Sequence, residues 1–163
     1  MDFIARMVEQ WAAIHPELDT TPLQSVGRLT RIAELLHDEA ERELEPAGLS
    51  RAEFDLLAAL RRAGAPVRAR EASMMTSASA AAITKRVDRL GRLGLVLREV
   101  PSADRRGALV SLTEAGEELV DKLLVEELER ERQAVVGLTP NELEALAAIL
   151  SRMLVRVELL SRG

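Results

Sequence analysis

One short interruption in an otherwise helical sequence constrains the fold most. Leu95–Val100 and Leu109–Leu112 are brief, rich in Val and Leu, and separated by the charged stretch Pro101–Gly107. Such segments on either side of a turn-forming stretch predict a single β-hairpin with a long charged tip. The sequence before about Gly94 and after the hairpin has the apolar spacing of helices. The chain is therefore predicted to be mainly α, with one hairpin.

Three helix starts share one capping pattern, found at Thr21 with Gln24, Ser50 with Glu53, and Thr139 with Glu142. A Ser or Thr followed three residues later by Glu or Gln can satisfy two backbone N–H groups at a helix start. Apolar residues then recur at helical spacing, and the stripes on the terminal helices are wide for so short a chain. We therefore expect these helices to pack against a second copy of the chain.

Composition narrows the function. The chain has no Cys, which excludes disulfides, cysteine catalysis and cysteine zinc sites. No apolar run approaches the roughly 18–20 residues of a membrane span, and the N-terminus lacks a signal-peptide core, so we expect a cytoplasmic protein without membrane contact. His15 and His37 are isolated, and no glycine-rich phosphate loop follows a strand. We expect no catalytic residues, no metal and no cofactor, and hence no enzyme.

Charge is distributed unevenly along the chain. The net charge is −5, but residues 61–107 carry +7 and the remainder carries −12. A basic segment between acidic flanks is typical of a protein that binds DNA through one region. Double-stranded DNA is therefore the expected partner of residues 61–107.

A helix from about Ser77 to Arg92 is predicted to read the DNA. Ile83, Val87 and Leu90 share one face and should rest on the preceding helices. The opposite polar face can then enter the major groove, and the small residues at its start allow close approach to phosphate. The predicted DNA contacts are Ser77, Ser79, Thr84, Lys85 and Arg89 on this helix, and Arg105 and Arg106 at the hairpin tip, which suit the minor groove.

Four motifs then resemble the MarR family of bacterial regulators. They are TKRVDRL at 84–90, GLV at 94–96, DRRG at 104–107 and LTEAG at 112–116. The resemblance covers essentially the whole chain. It implies one winged helix-turn-helix domain over 1–163, in which about 50–113 bind DNA and about 1–48 and 114–163 form dimerisation helices. It also implies a homodimer on palindromic operator DNA and a small-molecule ligand that weakens this binding.

A narrower resemblance concerns the N-terminal region. Gln10-Trp11, PELD at 16–19 and VGRL at 26–29 resemble the branch with an extra N-terminal helix, which includes urate-responsive regulators. The ligand site of that branch is formed by residues that match Trp11, Asp55, Arg86 and Arg98. The resemblance thus implies a small anionic effector, urate or similar, although related regulators respond to carboxylates such as aconitate or citrate. The segment Arg68–Met75 is shorter than the family pattern.

The residues themselves leave alternatives open. Arg86 lies on the flank of the buried face, so its guanidinium needs either an anionic ligand or a structural ion pair with Asp55. Trp11 can stack on a planar ligand or pack between dimerisation helices. The predicted function is a DNA-binding regulator, a repressor released by an anion. The alternatives are release by a carboxylate, a regulator of the same family that no small anion releases from DNA, or a helical protein-binding module without DNA binding.

Overall fold

The computed structural model describes residues 1–99 and 108–161. These form two compact units, residues 1–121 and 122–163. The helices are α1 (Phe3–Ile14), α2 (Arg28–Leu44), α3 (Arg51–Ala63), α4 (Ala69–Thr76), α5 (Ala80–Arg92), α6 (Glu114–Ala134) and α7 (Pro140–Leu160). The strands are β1 (Val67–Arg68), β2 (Val96–Glu99) and β3 (Leu109–Leu112). The prediction of a mainly helical chain with a hairpin is confirmed.

Two of the three predicted helix starts have the expected geometry. The Ser50 and Thr139 hydroxyls each accept a backbone N–H three residues on, and the carboxylates there accept the cap N–H in return. At the first start, Thr21 already lies within the helix, and the Asp19 carboxylate accepts its N–H at 3.0 Å. A π-helical turn over Leu23–Gly27 follows and leads into α2. Asp19, and not Thr21, therefore supplies the local cap.

The sheet has three antiparallel strands in the order β1-β3-β2. The two strands of the predicted hairpin pair with each other, and their register places Val96 opposite Leu112 and Glu99 opposite Leu109. On its other side, β3 pairs with β1, which places Val67 opposite Val110. The sequence did not indicate β1, because two residues are too few to show alternating polarity.

The hairpin is joined to α6 through Thr113. Its hydroxyl donates to the carbonyl of Gly94 at 2.7 Å and accepts the N–H of Gly116 at 3.0 Å. Its own N–H donates to the carbonyl of Leu95 at 3.0 Å. The two backbones approach so closely that a Cβ at position 116 would stand 2.1 Å from the Leu95 oxygen. The glycine of LTEAG is therefore required by this contact.

The core of the first unit lies between α3, α5 and the sheet. Its largest fully buried side chains within that unit are Leu56, Leu57, Ile83, Leu90, Val110 and Val120. Helix α5 packs against α3, α4 and β2. The predicted buried face of Ile83, Val87 and Leu90 is confirmed, since each side chain is 4% exposed or less. This packing fixes which face of α5 is turned outward.

Large apolar side chains remain exposed on the terminal helices. They include Phe3, Trp11 and Ile14 on α1, Ile32 and Leu35 on α2, and Leu154, Val157 and Leu160 on α7. Within residues 1–99 and 108–161, no helix combines the length and apolar character needed to cross a membrane. The predicted division into DNA-binding and dimerisation regions stays a prediction.

Candidate nucleic-acid interface

Helices α4 and α5 form a helix-turn-helix with a tight turn between them. Ser77 ends α4 in the left-handed conformation, with φ of 52°. Ser79 caps α5, because its hydroxyl accepts the N–H of Ala82 at 3.2 Å. The predicted helix over 77–92 therefore begins later, at Ala80, and Ser77 belongs to the turn. Although Arg68–Met75 is short, α4 still forms, and the Arg68 N–H donates to the Glu71 carboxylate at 2.7 Å.

The outward face of α5 carries the predicted DNA contacts. Thr84 and Lys85 are exposed, as is Ser79 at the start of the helix. The Thr84 hydroxyl donates to the carbonyl of Ala80 at 3.0 Å. In the part of the chain that the structure describes, the Lys85 ammonium makes no hydrogen bond or ion pair. Lys85 is thus presented to solvent, where it can meet phosphate or a base edge.

Arg89 is arranged differently from Lys85. Its guanidinium donates to the Glu53 carboxylate of α3 and, at 2.7 Å, to the carbonyl of Gly48. Burial raises the pKa of Glu53, but hydrogen bonds from Ser50 and Arg89 outweigh this and hold that pKa below its ordinary value. The Glu53 carboxylate is therefore a stable anionic partner for Arg89. The sequence identified Glu53 only as part of a cap, since nothing local pairs it with a residue 36 positions away.

A basic groove of about 440 Å³ lies where the start of α3 faces α5. Its lining residues are Ser50, Ala52, Glu53, Ala82, Lys85, Arg86, Arg89 and Arg92. Arg86 is partly buried there. Across residues 1–99 and 108–161, no hydrogen bond or ion pair engages its side chain. The groove therefore holds four cationic side chains, of which Arg89 is paired with the single lining carboxylate.

The other predicted effector residues have local partners. Asp55 accepts from Arg51 at 2.9 Å, so the alternative in which Asp55 pairs with Arg86 is not observed. Arg98 on β2 donates to Asp88 of α5 at 3.2 Å. Trp11 stacks on His15 with ring centroids 5.9 Å apart and is 45% exposed.

The structure does not join these residues into one site. No hydrogen bond, ion pair or ring contact among the described residues connects any two of Trp11, Asp55, Arg86 and Arg98. Of the four, Arg86 lines the basic groove and the others do not. The predicted wing contacts Arg105 and Arg106 lie outside the described residues. Within the described residues, no cluster of His, Asp or Glu is arranged to hold a metal.

A helix-turn-helix followed by an antiparallel hairpin, with cations on the outward face of the second helix, defines a winged helix-turn-helix DNA-binding protein. The comparisons with known proteins agree. Residues 47–107 match the model of the MarR family. The transcriptional regulator PecS of Dickeya dadantii (strain 3937) is 31% identical over 152 residues, which span 92% of each chain. The chain belongs to the MarR family and is a DNA-binding transcriptional regulator.

Solved structures support the same assignment. AbsC, a MarR family regulator from Streptomyces coelicolor, is 26% identical, with a TM-score of 0.74 over 87% of this chain and 98% of that one. BpsR of Bordetella bronchiseptica, whose DNA binding is regulated by 6-hydroxynicotinic acid, is 32% identical, with a TM-score of 0.65 over 78% of this chain and 97% of that one. The named relatives are transcriptional regulators and not enzymes.

Proposed function

We propose that the protein is a homodimeric repressor that binds palindromic operator DNA and releases it when a small planar anion binds at Arg86. The observation that carries the proposal is Arg86 itself: the residue is partly buried, it lines a basic groove, and its guanidinium has no partner among the described residues. Removing a cation even partly from water without a counter-ion costs free energy. An anionic ligand that enters the groove removes this cost.

The dimer is supported by the exposed apolar side chains of the terminal helices. Leu154, Val157 and Leu160 are 58–65% exposed on one helix, α7. Burial of such side chains against a second copy is favourable by about 25 cal/mol per Å². A twofold dimer presents two copies of α5 about one helical turn of DNA apart. Such a pair matches an inverted repeat, which is why we propose a palindromic operator.

The groove favours a flat anion. Ala52 and Ala82 are small and leave room between α3 and α5, while Arg86 and Lys85 supply positive charge. A guanidinium binds carboxylate-like groups through two parallel hydrogen bonds. Urate fits this chemistry, and so does 6-hydroxynicotinic acid, the regulator of DNA binding by BpsR. Aconitate and citrate provide the charge without the ring.

Release follows from the position of Arg86 on the reading helix. A ligand that draws Arg86 toward α3 changes how α5 packs on α3. The ligand and DNA then favour different positions of α5. The expected coupling is about 1–3 kcal/mol, or roughly 5–150-fold in DNA affinity. For Trp11, Asp55 and Arg98, a ligand role rests on the family resemblance. Arg98 reaches a ligand only by leaving Asp88.

The test is a competition experiment on the protein–DNA complex. Urate, 6-hydroxynicotinate, aconitate and citrate are titrated separately into the complex with a duplex selected by the protein from a random pool. We expect at least one planar anion to release wild-type protein, and Arg86→Gln to need at least about tenfold more of it. Arg62→Gln removes an exposed arginine outside the groove and is the matched control. Equal release of Arg86→Gln and wild type would place the effector elsewhere.

A further inference from the structure

We propose that Arg89 is a positioning residue: it holds the reading helix in register through Glu53 and Gly48 and does not contact DNA phosphate. The proposal builds on the DNA-binding function and is independent of any effector. The sequence alone predicts Arg89 as a DNA contact, like Lys85. The structure gives the two cations different surroundings, and this difference carries the inference.

The first step is how Arg89 is held. One terminal nitrogen donates to the Glu53 carboxylate, and the other donates to the Gly48 carbonyl at 2.7 Å. These acceptors precede Arg89 by 36 and 41 residues, so the contacts are tertiary. A planar guanidinium that uses both ends in this way fixes direction as well as distance. Arg89 therefore sets both the position and the rotation of the second half of α5.

The second step is that its partner is itself fixed. The Glu53 carboxylate is buried and accepts both the N–H and the hydroxyl of Ser50 at 2.9 Å. The adjacent N–H of Arg51 donates to Glu41 of α2 at 2.9 Å. The start of α3 is thus held both by its own capping box and by a hydrogen bond to α2. A charge paired with such a rigid, buried carboxylate is expensive to withdraw, because the carboxylate would stay buried without its cation.

The third step compares this arrangement with that of Lys85. Lys85 is exposed and makes no ion pair within the described residues, whereas Arg89 has a buried carboxylate and a carbonyl as acceptors. The two acceptors fix the direction of the Arg89 guanidinium, so a phosphate would have to approach its remaining N–H groups without that direction changing. Lys85 has no such constraint and can turn toward a phosphate. Lys85 is therefore the cation that contacts DNA phosphate, and Arg89 aligns the helix that bears it.

The experiment separates positioning from phosphate contact by two quantities. Wild type, Glu53→Gln, Arg89→Gln, the double variant of these two, Arg89→Lys and Lys85→Gln are measured on a duplex selected by the wild type and on a shuffled duplex of the same composition. One quantity is the affinity ratio of the two duplexes. The other is the slope of log affinity against log salt, which counts neutralised phosphates. Glu53→Gln keeps an oxygen for the Ser50 cap while it removes the charge.

We expect Glu53→Gln and Arg89→Gln to lower the affinity ratio by about tenfold, roughly the effect of one lost base contact, with an unchanged salt slope. The double variant should be no worse than the poorer single one, because both break the same pair. Arg89→Lys should recover part of the ratio. Lys85→Gln should lower the slope by about one charge for each site.

Two results would overturn the proposal. A lowered salt slope in Arg89→Gln would make Arg89 a phosphate contact. An affinity ratio equal to that of wild type in Glu53→Gln would show that the pair does not align the helix, whatever happens to overall affinity. Partial unfolding lowers binding to both duplexes equally and leaves their ratio unchanged, so loss of fold cannot imitate the expected result. Arg62→Gln and Glu118→Gln serve as charge-matched controls at exposed positions.

Discussion

Ser77, in the turn between α4 and α5, holds a backbone conformation that L-amino acids rarely adopt. Its φ of 52° is the single positive φ at a non-glycine position among the described residues. The left-handed region costs an L-residue about 1–2 kcal/mol, because Cβ crowds the following carbonyl. The turn nevertheless requires it, since this bend places the cap Ser79 two residues later and lets α5 begin at Ala80.

Ser77→Gly should therefore stabilise the protein. Glycine relieves the strain but makes the unfolded chain more flexible, which costs about 0.4–1 kcal/mol. The net gain expected in the free energy of unfolding is about 0.5–1 kcal/mol. Urea denaturation at fixed protein concentration measures it. Ser77→Ala keeps the strained φ and should show no gain; a gain in both variants would mean that the side chain, and not the backbone, is the source.

Glu53 gives stability a dependence on pH. The hydrogen bonds from Ser50 and Arg89 lower its pKa in the folded state below the ordinary value of 4.5. The contribution of the Glu53 carboxylate to the free energy of unfolding is therefore fully present above about pH 4.5. It is lost as the pH falls through the lowered pKa of the folded state. Glu53→Gln should lower the free energy of unfolding by about 1.5–3 kcal/mol at neutral pH, the value of a hydrogen bond to a charged group.

The difference in the free energy of unfolding between wild type and Glu53→Gln should then become smaller as the solution is acidified. Urea denaturation at a series of pH values from about 7 downward follows the difference as the Glu53 carboxylate is protonated. Glu118→Gln changes an exposed carboxylate and should give a difference close to zero at every pH. A Glu53→Gln difference that stays constant or widens in acid would contradict the lowered pKa.

For single residues, the sequence predicts which side chains share a helix face, but it does not predict ion pairs between residues that are far apart in the chain. Helical periodicity is local, so the sequence correctly predicts Ile83 and Val87 on the buried face of α5. The partner of Arg89 was not predictable, since Glu53 lies on another helix and its spacing has no pattern. For Asp55, an i,i+4 pair with Arg51 was available on the same helix, and this local partner is the one observed.

Gly116 allows the backbone at the start of α6 to pack directly against the backbone at Leu95. Its Cα lies so close to the residue that precedes β2 that an added Cβ would stand 2.1 Å from the carbonyl oxygen of Leu95. The obstacle is backbone on both sides, so neither partner can turn aside. Gly116→Ala should therefore lower the free energy of unfolding by about 3 kcal/mol, at the upper end for an overpacked site.

Gly91 provides the matched control on α5. A Cβ there meets its nearest neighbour, the Val96 oxygen, at 3.9 Å, which is ordinary contact. Alanine should then improve helix propensity by up to about 1 kcal/mol without any clash. Thermal and urea denaturation of both variants test the pair. Equal stability of the two variants would mean that the close approach at Gly116 is relaxed in solution.

For helices and strands, the sequence predicts those features that depend on residues close together in the chain. The hairpin and two of the three predicted capping boxes are observed, because each depends on neighbouring residues. The third prediction, a cap at Thr21, is wrong, since Asp19 accepts the N–H of Thr21. Strand β1 and the π-helical turn over Leu23–Gly27 were missed. The first is stabilised by pairing with β3 across more than 40 residues. The second is accompanied by tertiary packing, where Ile4 stands against Gly27.

The terminal regions of the chain differ from its middle in net charge and in exposed apolar surface. The winged region carries a net positive charge, and the terminal regions are acidic. The terminal helices nevertheless expose large apolar side chains, such as Ile14 of α1 and Leu160 of α7. The sequence predicts these stripes from periodicity. It does not give the geometry of the pairing, which depends on how two copies fit together.

The proposed dimer makes DNA binding depend on residues far from the reading helix. Leu154 is 60% exposed on α7. In a symmetric interface, Leu154→Asp places two carboxylates in apolar surroundings, each costing several kcal/mol. The variant should sediment as a monomer in analytical ultracentrifugation. Its affinity for a palindromic duplex should fall by about 100-fold or more, because two linked reading helices become two independent ones.

Met74→Asp separates this effect from a simple loss of exposed apolar surface. Met74 is 68% exposed on α4, outside the terminal helices, so its replacement should leave the sedimenting mass at that of the wild-type dimer. The salt slope distinguishes the species further, since a monomer neutralises about half as many phosphates per binding event. Leu154→Asp protein that keeps the dimer mass and the wild-type slope would exclude α7 from the interface. The contact between copies would then lie on other apolar side chains, such as those of α1.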